Sequence, residues 1–393
     1  MVQYIMLFFG VIAALYLLIQ WLQLIFLYRY EAKLSAAPTQ WPAISIWVAA
    51  RDEEANIHRC LTSLLSMDYP LENLEILVGN DQSVDNTRAI VIELSKHHPQ
   101  IKLIDVQDNE DGLKAKARVM AQLDKHATGD YYLITDADVW VNPQWAKTML
   151  RSLWKSADVS NGGSNKIIGV CSGTTLVKSP NTWGWLQEID WSYFMGLLNI
   201  ISYAGVPATA VGNNMIISKN AYWATGGYSQ IKFSITEDYK LYSEVCRKGF
   251  GWNNVMHPGV VAYSAETKGF MPLLHQRKRW LSGGKELPWY WWILFGVFGG
   301  FHVGTFFMVC LIPIHFFSIR LFPEQYLIAV FVALLFKWIL QTLQIKKIYK
   351  NIGVPAPALW KLICYEPFIQ FVTVSTALFF IAPVKTIWKG RAY

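Results

Sequence analysis

Charge is what this sequence has least of. Only 16% of its 393 residues are Asp, Glu, Lys or Arg, and 53% are hydrophobic. A soluble domain carries about 25% charged residues, so the shortfall points to membrane segments. From Met1 through Tyr28 there is no charged residue at all, a run long enough to cross roughly 30 Å of hydrocarbon as a helix. No basic residue precedes it and no small-residue cleavage site follows, which argues against a removable signal peptide. Cysteine is scarce as well. Cys60, Cys171, Cys246, Cys310 and Cys364 show no CxxC spacing, so scattered reduced thiols are expected. No dense basic stripe lies outside the membrane flanks, which argues against nucleic acid as a partner despite a net charge of +7. Anionic lipid at a cytoplasmic leaflet accounts for that excess better. Internal repeats and low-complexity tracts are absent.

What is present divides the chain into three: an N-terminal transmembrane helix (1–30), a cytosolic domain (42–288), and a C-terminal membrane region (289–393) of several helices with a short basic tail. Arg29 and Lys33 follow the first helix, so the positive-inside rule puts the downstream chain in the cytoplasm, anchored to the inner membrane by several passes. Trp289–Ile319 has no Asp, Glu, Lys or Arg. It is long for one helix and short for two, with Gly296, Gly299 and Gly300 as candidate break points. Tyr326–Ile345 is apolar apart from Lys337 and a few polar residues. Leu362–Val384 carries Glu366 and Pro367 near its start, and basic clusters flank it on both sides: Lys346, Lys347, Lys350 and Lys361 before, Lys385, Lys389 and Arg391 after. A full span would put one cluster on the wrong side, so a re-entrant or interfacial segment is the alternative.

The middle of the chain alternates strand and helix. Ile44–Ala49, Leu74–Val78, Ile101–Val106 and Tyr131–Thr135 read as buried strands. Between them fall helical stretches: one carrying Ile57, Leu61, Leu64 and Leu65 on a single face, then Asp85–Lys96 and Lys114–Lys125. This order predicts an α/β domain with a mostly parallel sheet, which binds ligands beyond the carboxyl ends of its strands. Asp81 and Asp136 fall at such ends.

Five sets of residues carry chemistry. Asp136 and Asp138 follow a strand; if the extended backbone continues, both carboxylates face one point, as a hard divalent cation requires. A pair of turn or cap aspartates before Asn142-Pro143 is the plainer reading. Asp81 suits a base or ribose contact, whereas Asp85, in Asp85-Asn86-Thr87, has the chemistry of a helix cap. Lys114 and Lys116 diverge on a helix, so one of them steadies a diphosphate and the other is solvated. Thr236-Glu237-Asp238 reads as a helix start or, functionally, as a positioned carboxylate that deprotonates an acceptor hydroxyl, with Asp238 as the base and Glu237 beside it. Gln276-Arg277-Lys278-Arg279-Trp280 is either a juxtamembrane basic helix or a clamp for a departing diphosphate.

Taken in order, these motifs resemble the membrane-bound family 2 glycosyltransferases, the group of ceramide glucosyltransferases, cellulose synthases and hyaluronan synthases. The resemblance runs from about Ile44 to Gly284. It includes Ala49-Ala50-Arg51-Asp52-Glu53-Glu54-Ala55-Asn56-Ile57, and Gly212-Asn213-Asn214-Met215-Ile216-Ile217 with Gly226-Gly227-Tyr228. It implies a GT-A fold, a Rossmann-like, mixed but mostly parallel sheet, and an inverting enzyme using a nucleotide-sugar, usually a UDP-sugar. Arg51, Glu53, Asp81, Lys116, Asp136, Gln276 and Arg279 would bind the donor. Asp138 with Asp136 would hold Mg²⁺ or Mn²⁺, and Asp238 would be the general base. Glu237, Trp280, Gly212, Asn213 and Asn214 would face the acceptor. Asn80 departs from the acidic residue common in the family, and Gln82 from its glycine; Lys116 fits the donor lysine better than Lys114. The expected activity is transfer of one sugar to a lipid at the cytoplasmic face, with a processive polysaccharide synthase as the alternative. A transporter would require more functional polar residues within its helices than Lys337, Glu366 and the histidines, and intact acidic motifs argue against a catalytically dead scaffold.

Overall fold

The computed structural model describes residues 2–108, 112–154, 166–317, 324–385, 387–388 and 391–392; Lys389 of the basic tail and Ile319 at the end of the second apolar run lie outside them. The chain forms two compact units. One comprises Met1–Arg29, Thr267–Tyr349 and Pro355–Tyr393; the other comprises Tyr30–Glu266 with Lys350–Val354.

In the first unit, α1 spans Val2–Arg29. The second unit opens with the expected alternation: β1 (Ile44–Ala50), α2 (Ile57–Leu65), β2 (Leu74–Asn80), α3 (Thr87–His97), β3 (Ile101–Asp105), α4 (Ala115–Leu123) and β4 (Tyr131–Asp136). These four strands are parallel, in the spatial order β3-β2-β1-β4. Strands covered on both faces need near-continuous apolar sequence, and Ile46, Trp47, Val48, Ile76, Leu77 and Val78 are all buried. The register aligns Ala50 with Asn80 and Ala49 with Asp136, so the carboxyl ends of β1, β2 and β4 finish side by side. That edge carries the acidic motifs.

The remainder completes a mixed sheet. β5 (Val139–Val141), α5 (Trp145–Leu153), β6 (Ile168–Ser172), β7 (Thr175–Val177) and α6 (Thr182–Tyr203) come first. They are followed by β8 (Asn214–Ser218), α7 (Lys219–Ala224), α8 (Glu237–Arg247), β9 (Gly251–Asn254) and β10 (Ala262–Ser264). β8 runs antiparallel between β4 and β6, giving the order β3-β2-β1-β4-β8-β6-β9, and β5, β10 and β7 form a small second sheet.

The rest of the first unit consists of α9 (Phe270–Gly283), α10 (Trp289–Phe317), α11 (Glu324–Ile352) and α12 (Leu359–Ile381). Among the described residues four helices, α1, α10, α11 and α12, contain stretches long and apolar enough to cross a membrane. The glycines of α10 do not break it. Small residues let helix backbones approach, and here a side chain at Gly304 would lie 2.5 Å from the Phe9 ring, while one at Gly300 would press on Ile12 at 3.3 Å. One turn deeper, Tyr16 stacks on Phe301 at 4.1 Å between ring centroids. Polar groups inside this unit meet one another: Lys337 pairs with Glu366, Thr305 donates to Gln370 at 3.0 Å, and Gln344 donates to the Gln20 carbonyl.

One carboxylate in the sheet unit is held against its preference. Asp124 caps the C-terminal end of α4, where the helix dipole disfavours a negative charge. Burial pushes its pKa up to about 6 from 3.8, although the Tyr222 hydroxyl donates to it at 2.5 Å. A folded-state pKa above the unfolded value gives stability that is full below pH 3.8 and is lost as pH rises through about 6. Asp124→Asn keeps an acceptor for Tyr222 and removes the titration. Its melting temperature is expected to match wild type near pH 4 and to exceed it above about pH 6, by on the order of 2 kcal/mol in stability. Thermal melts of the detergent-purified chain across that range check it; parallel pH curves for the two proteins would contradict it.

Candidate active site

At the carboxyl edge of the sheet, two loops are tied into one body. In the loop after β1, the Glu53 N–H donates to Thr87 Oγ1 at 2.7 Å and the Glu54 N–H to Asp85 Oδ2 at 2.9 Å. From the loop after β2, the Val84 N–H donates to Asp52 Oδ1 at 2.9 Å and the Asn86 N–H to Glu54 Oε2 at 3.0 Å. Asp85, one residue before the Asn86 cap position of α3, also accepts from the Thr87 N–H at 2.9 Å. Burial works against its charge, but the bonds from Thr87 and Glu54 outweigh it and hold its pKa below 3.8. Glu53 turns its own carboxylate to the Asn56 amide at 2.7 Å.

Asp81 sits at the centre of this edge and is buried. Its N–H continues the strand by donating to the Ala50 carbonyl at 2.9 Å. Its carboxylate pairs with Arg118 of α4 and lies 3.7 Å from Arg51 Nη1, which also donates to the Asp81 carbonyl at 2.8 Å. Arg118 was not among the expected site residues, although it stands two positions after Lys116. Asn80 donates to Asp105 at 2.8 Å and accepts from the Ser83 N–H at 3.2 Å, bracing the loop where an acidic residue would be common. Gln82 has φ +57, the left-handed region that glycine tolerates best, which explains why glycine suits that position. Asp52 and Ala115, at φ +50 and +51, are the other non-glycine residues there among those described, and all three border this edge.

Asp136 ends β4, and the chain then turns instead of continuing extended, so Asp138 lies in the tight turn before β5. The two carboxylates still act on one place: burial first, then Asp138 and Asp136, push the Cys60 thiol up. Ser264 of β10 donates to Asp138 Oδ2 at 3.2 Å, a contact that nothing in the sequence signals. Lys116 supplies the local cation. Its ammonium bonds Asp136 Oδ1, donates to the Gly212 carbonyl at 2.9 Å and lies 3.8 Å from Glu237 Oε1. Burial opposes its charge, but Asp136 and Glu237 win and raise its pKa. Lys114, outside the helix as its N-cap, takes no part in these contacts. Among the described residues no three His, Cys, Asp or Glu side chains gather as a metal cage. Two carboxylates with a diphosphate to complete the shell nevertheless fit Mg²⁺ or Mn²⁺, since such ions keep few protein ligands.

Opposite stands the start of α8. Asp238 Oδ2 accepts from the Gly212 N–H at 2.8 Å and Oδ1 from the Tyr239 N–H at 2.8 Å. Tyr228 joins this group from the Gly226-Gly227 turn: burial first, then Glu237, Asp238 and Asp136, push its hydroxyl pKa well up. Asn213 braces the segment by accepting from Thr175 Oγ1 at 2.9 Å through its side chain and from Thr135 Oγ1 at 3.0 Å through its carbonyl. Asn214 points elsewhere, into the core. It accepts from Trp145 Nε1 at 2.8 Å and donates to the Thr174 and Val260 carbonyls at 3.1 and 3.0 Å.

Gln276, Arg279 and Trp280 belong to the first unit, on α9. Their spacing puts all three on one side of that helix, where the Arg277 guanidinium lies 4.9 Å over the Trp280 ring.

Comparison with known proteins bears on the family and the fold. The profile of Glycosyl transferase family 2 matches residues 45–226, and that of Glycosyl transferase family group 2 matches 136–342, more than half the chain. A beta-monoglucosyldiacylglycerol synthase of Synechocystis is 27% identical over 66% of this chain and 51% of its own length. A poly-beta-1,6-N-acetyl-D-glucosamine synthase of Staphylococcus epidermidis is 26% identical over 63% of this chain and 56% of its own. The chain thus spans about half the length of the curated relatives it matches. A mannosyltransferase of Pyrobaculum calidifontis, solved with GDP-Man and Mn²⁺, shares the fold at a TM-score of 0.59 and 16% identity, covering 97% of this chain and 99% of that one. The fold is GT-A.

Gly212 has no room for a side chain: a methyl there would lie 2.8 Å from Asp238 Cβ and 2.9 Å from Oδ2. Gly212→Ala is expected to displace that carboxylate and lower catalytic turnover by about 10- to 100-fold, with little change in melting temperature. Turnover at the wild-type rate would show that the position of Asp238 does not matter.

Proposed function

The chain belongs to the family 2 glycosyltransferases, and we propose that it moves one sugar from a UDP-sugar to a membrane lipid at the cytoplasmic face, with inversion. The observation that carries this reading is Asp238, held by two backbone N–H groups beside the Lys116–Asp136 pair. The two N–H groups fix the carboxylate's orientation, and each oxygen keeps a further lone pair with which to accept a hydroxyl proton. The name of the Synechocystis relative supports a lipid acceptor, and the apolar helices suit an acceptor held in a bilayer.

In this mechanism Asp81, fixed by Arg118 and Arg51, contacts the nucleoside, with Arg51 and Glu53 shaping that edge of the donor site. Asp138 and Asp136 would hold Mg²⁺ or Mn²⁺, which offsets negative charge on the diphosphate. Lys116 exchanges part of its contact with Asp136 for a donor phosphate oxygen. The acceptor hydroxyl oxygen bonds to the anomeric carbon as the bond from that carbon to the diphosphate breaks. Asp238 takes the hydroxyl proton, and the nucleoside diphosphate leaves, gripped by Gln276 and Arg279, whose planar fork matches phosphate oxygens. Glu237, Gly212, Asn213 and Trp280 border the acceptor. A second reading, a processive polysaccharide synthase, rests on the Staphylococcus epidermidis relative.

Two measurements test this. The purified chain, supplied with UDP- or GDP-sugars, Mn²⁺ and native lipid extract, is expected to yield a single labelled glycolipid by mass spectrometry. A high-mass polymer would favour the second reading instead. Asp238→Asn is expected to lower transfer by about 100-fold or more while donor affinity stays within about twofold, and near-normal turnover by that variant would remove Asp238 as the base.

A further inference from the structure

The middle of the Gln276–Trp280 string is built differently from its ends. Lys278 is buried, although lysine is among the residues least often found inside. Its ammonium donates to the Phe379 carbonyl at 2.9 Å and to the Ala382 carbonyl at 2.7 Å. Both lie at the end of α12, where the last carbonyls of a helix lack partners within the helix and the dipole attracts a cation. The Phe379 ring lies 5.2 Å from the same ammonium.

Two aromatic contacts set the same register. Phe270 stacks on Phe371 at 5.2 Å, and His275 meets the edge of Phe379 at 5.0 Å. Residues 270, 275 and 278 thus meet 371, 379 and 379–382 in turn, so α9 and α12 run side by side in one direction. Aromatic contacts alone tolerate some rotation. A short pair of charge-assisted bonds to two fixed carbonyls does not. On a helix, residue 278 points away from residues 276, 279 and 280, which lie within one side.

We propose that Lys278 is a positioning residue: by fastening α9 to the carboxyl end of α12, it fixes the rotation at which Gln276, Arg279 and Trp280 are presented. It touches no substrate and acts through Arg279 and Gln276. This inference rests on the reading that those two residues hold the leaving diphosphate.

The test is a double-mutant cycle on the full detergent-purified chain, read by calorimetric titration with UDP and with GDP in Mn²⁺; the tighter of the two is the probe. Lys278→Met is expected to weaken its binding by about fivefold or more, and Lys278→Arg, which keeps a cation and several donors, to restore it to within about twofold. In an Arg279→Ala background, Lys278→Met is expected to add less than about twofold, because the residue through which it acts is already gone. Wild-type binding by Lys278→Met beside a weakened Arg279→Ala overturns the proposal, and so do losses that simply multiply. If Lys278→Met fails to fold, Lys278→Arg decides: a folded protein with a fivefold loss counts against it. Unchanged binding by Arg279→Ala, or no binding of either diphosphate, would instead sink the underlying reading of Gln276 and Arg279.

Discussion

One largely buried ammonium holds the carboxyl edge of the sheet together. Asp136, Glu237 and Asp238 converge there with the buried Tyr228 hydroxyl, and three partly exposed carboxylates so placed repel one another. Lys116 resolves the conflict by reaching from α4 to Asp136, the Gly212 carbonyl and the vicinity of Glu237. It thereby ties the end of the parallel half of the sheet to the segment before β8. Gly212 in turn presents its N–H to Asp238, so one peptide unit passes the influence of Lys116 to the opposite carboxylate. Three carboxylates against one ammonium leave this corner net negative, which favours a further cation beside it.

Much of the fold was legible because local pattern and burial agree. The strands beginning at Ile44, Leu74 and Tyr131 are apolar where inner parallel strands must be, the edge strand at Ile101 is half-exposed, and the first helix shows one buried face. Asp85 stands one residue before the cap position, which Asn86 holds, and still accepts from the Thr87 N–H at the start of α3. What escaped the sequence depends on partners far along the chain. Arg118 reaches Asp81 and Ser264 reaches Asp138 by tertiary approach, with no periodicity to announce either. The turn after Asp136 replaces the expected extended run, yet a tight turn also brings Asp136 and Asp138 near one place. Asn214 looked like its neighbour Asn213, but Asn213 lies in the turn before β8, whereas Asn214 opens the strand and bonds to Trp145 and to two carbonyls in the core.

The membrane-type helices raise a different question, because their interior is polar in places where apolar side chains would pack more simply. Lys337, Gln341 and Gln344 fall at i, i+4 and i+7 on α11, all buried, and two of them meet partners on other helices. Lys337 with Glu366 is a closed pair, and such pairs serve register better than they serve stability. The glycines of α10 act likewise. In the sequence they looked like interruptions; in the structure Gly300 and Gly304 are the places where α1 comes close.

That close approach bears on how the first helix can be regarded. It is fitted, at Phe9 against Gly304, at Tyr16 against Phe301 and at the Gln20 carbonyl under Gln344. A tether needs only length and greasiness, and any apolar segment would serve as one. α1 is instead a component with a fixed seat. A chimera carrying a borrowed anchor of equal hydrophobicity would reach the bilayer and leave that seat empty.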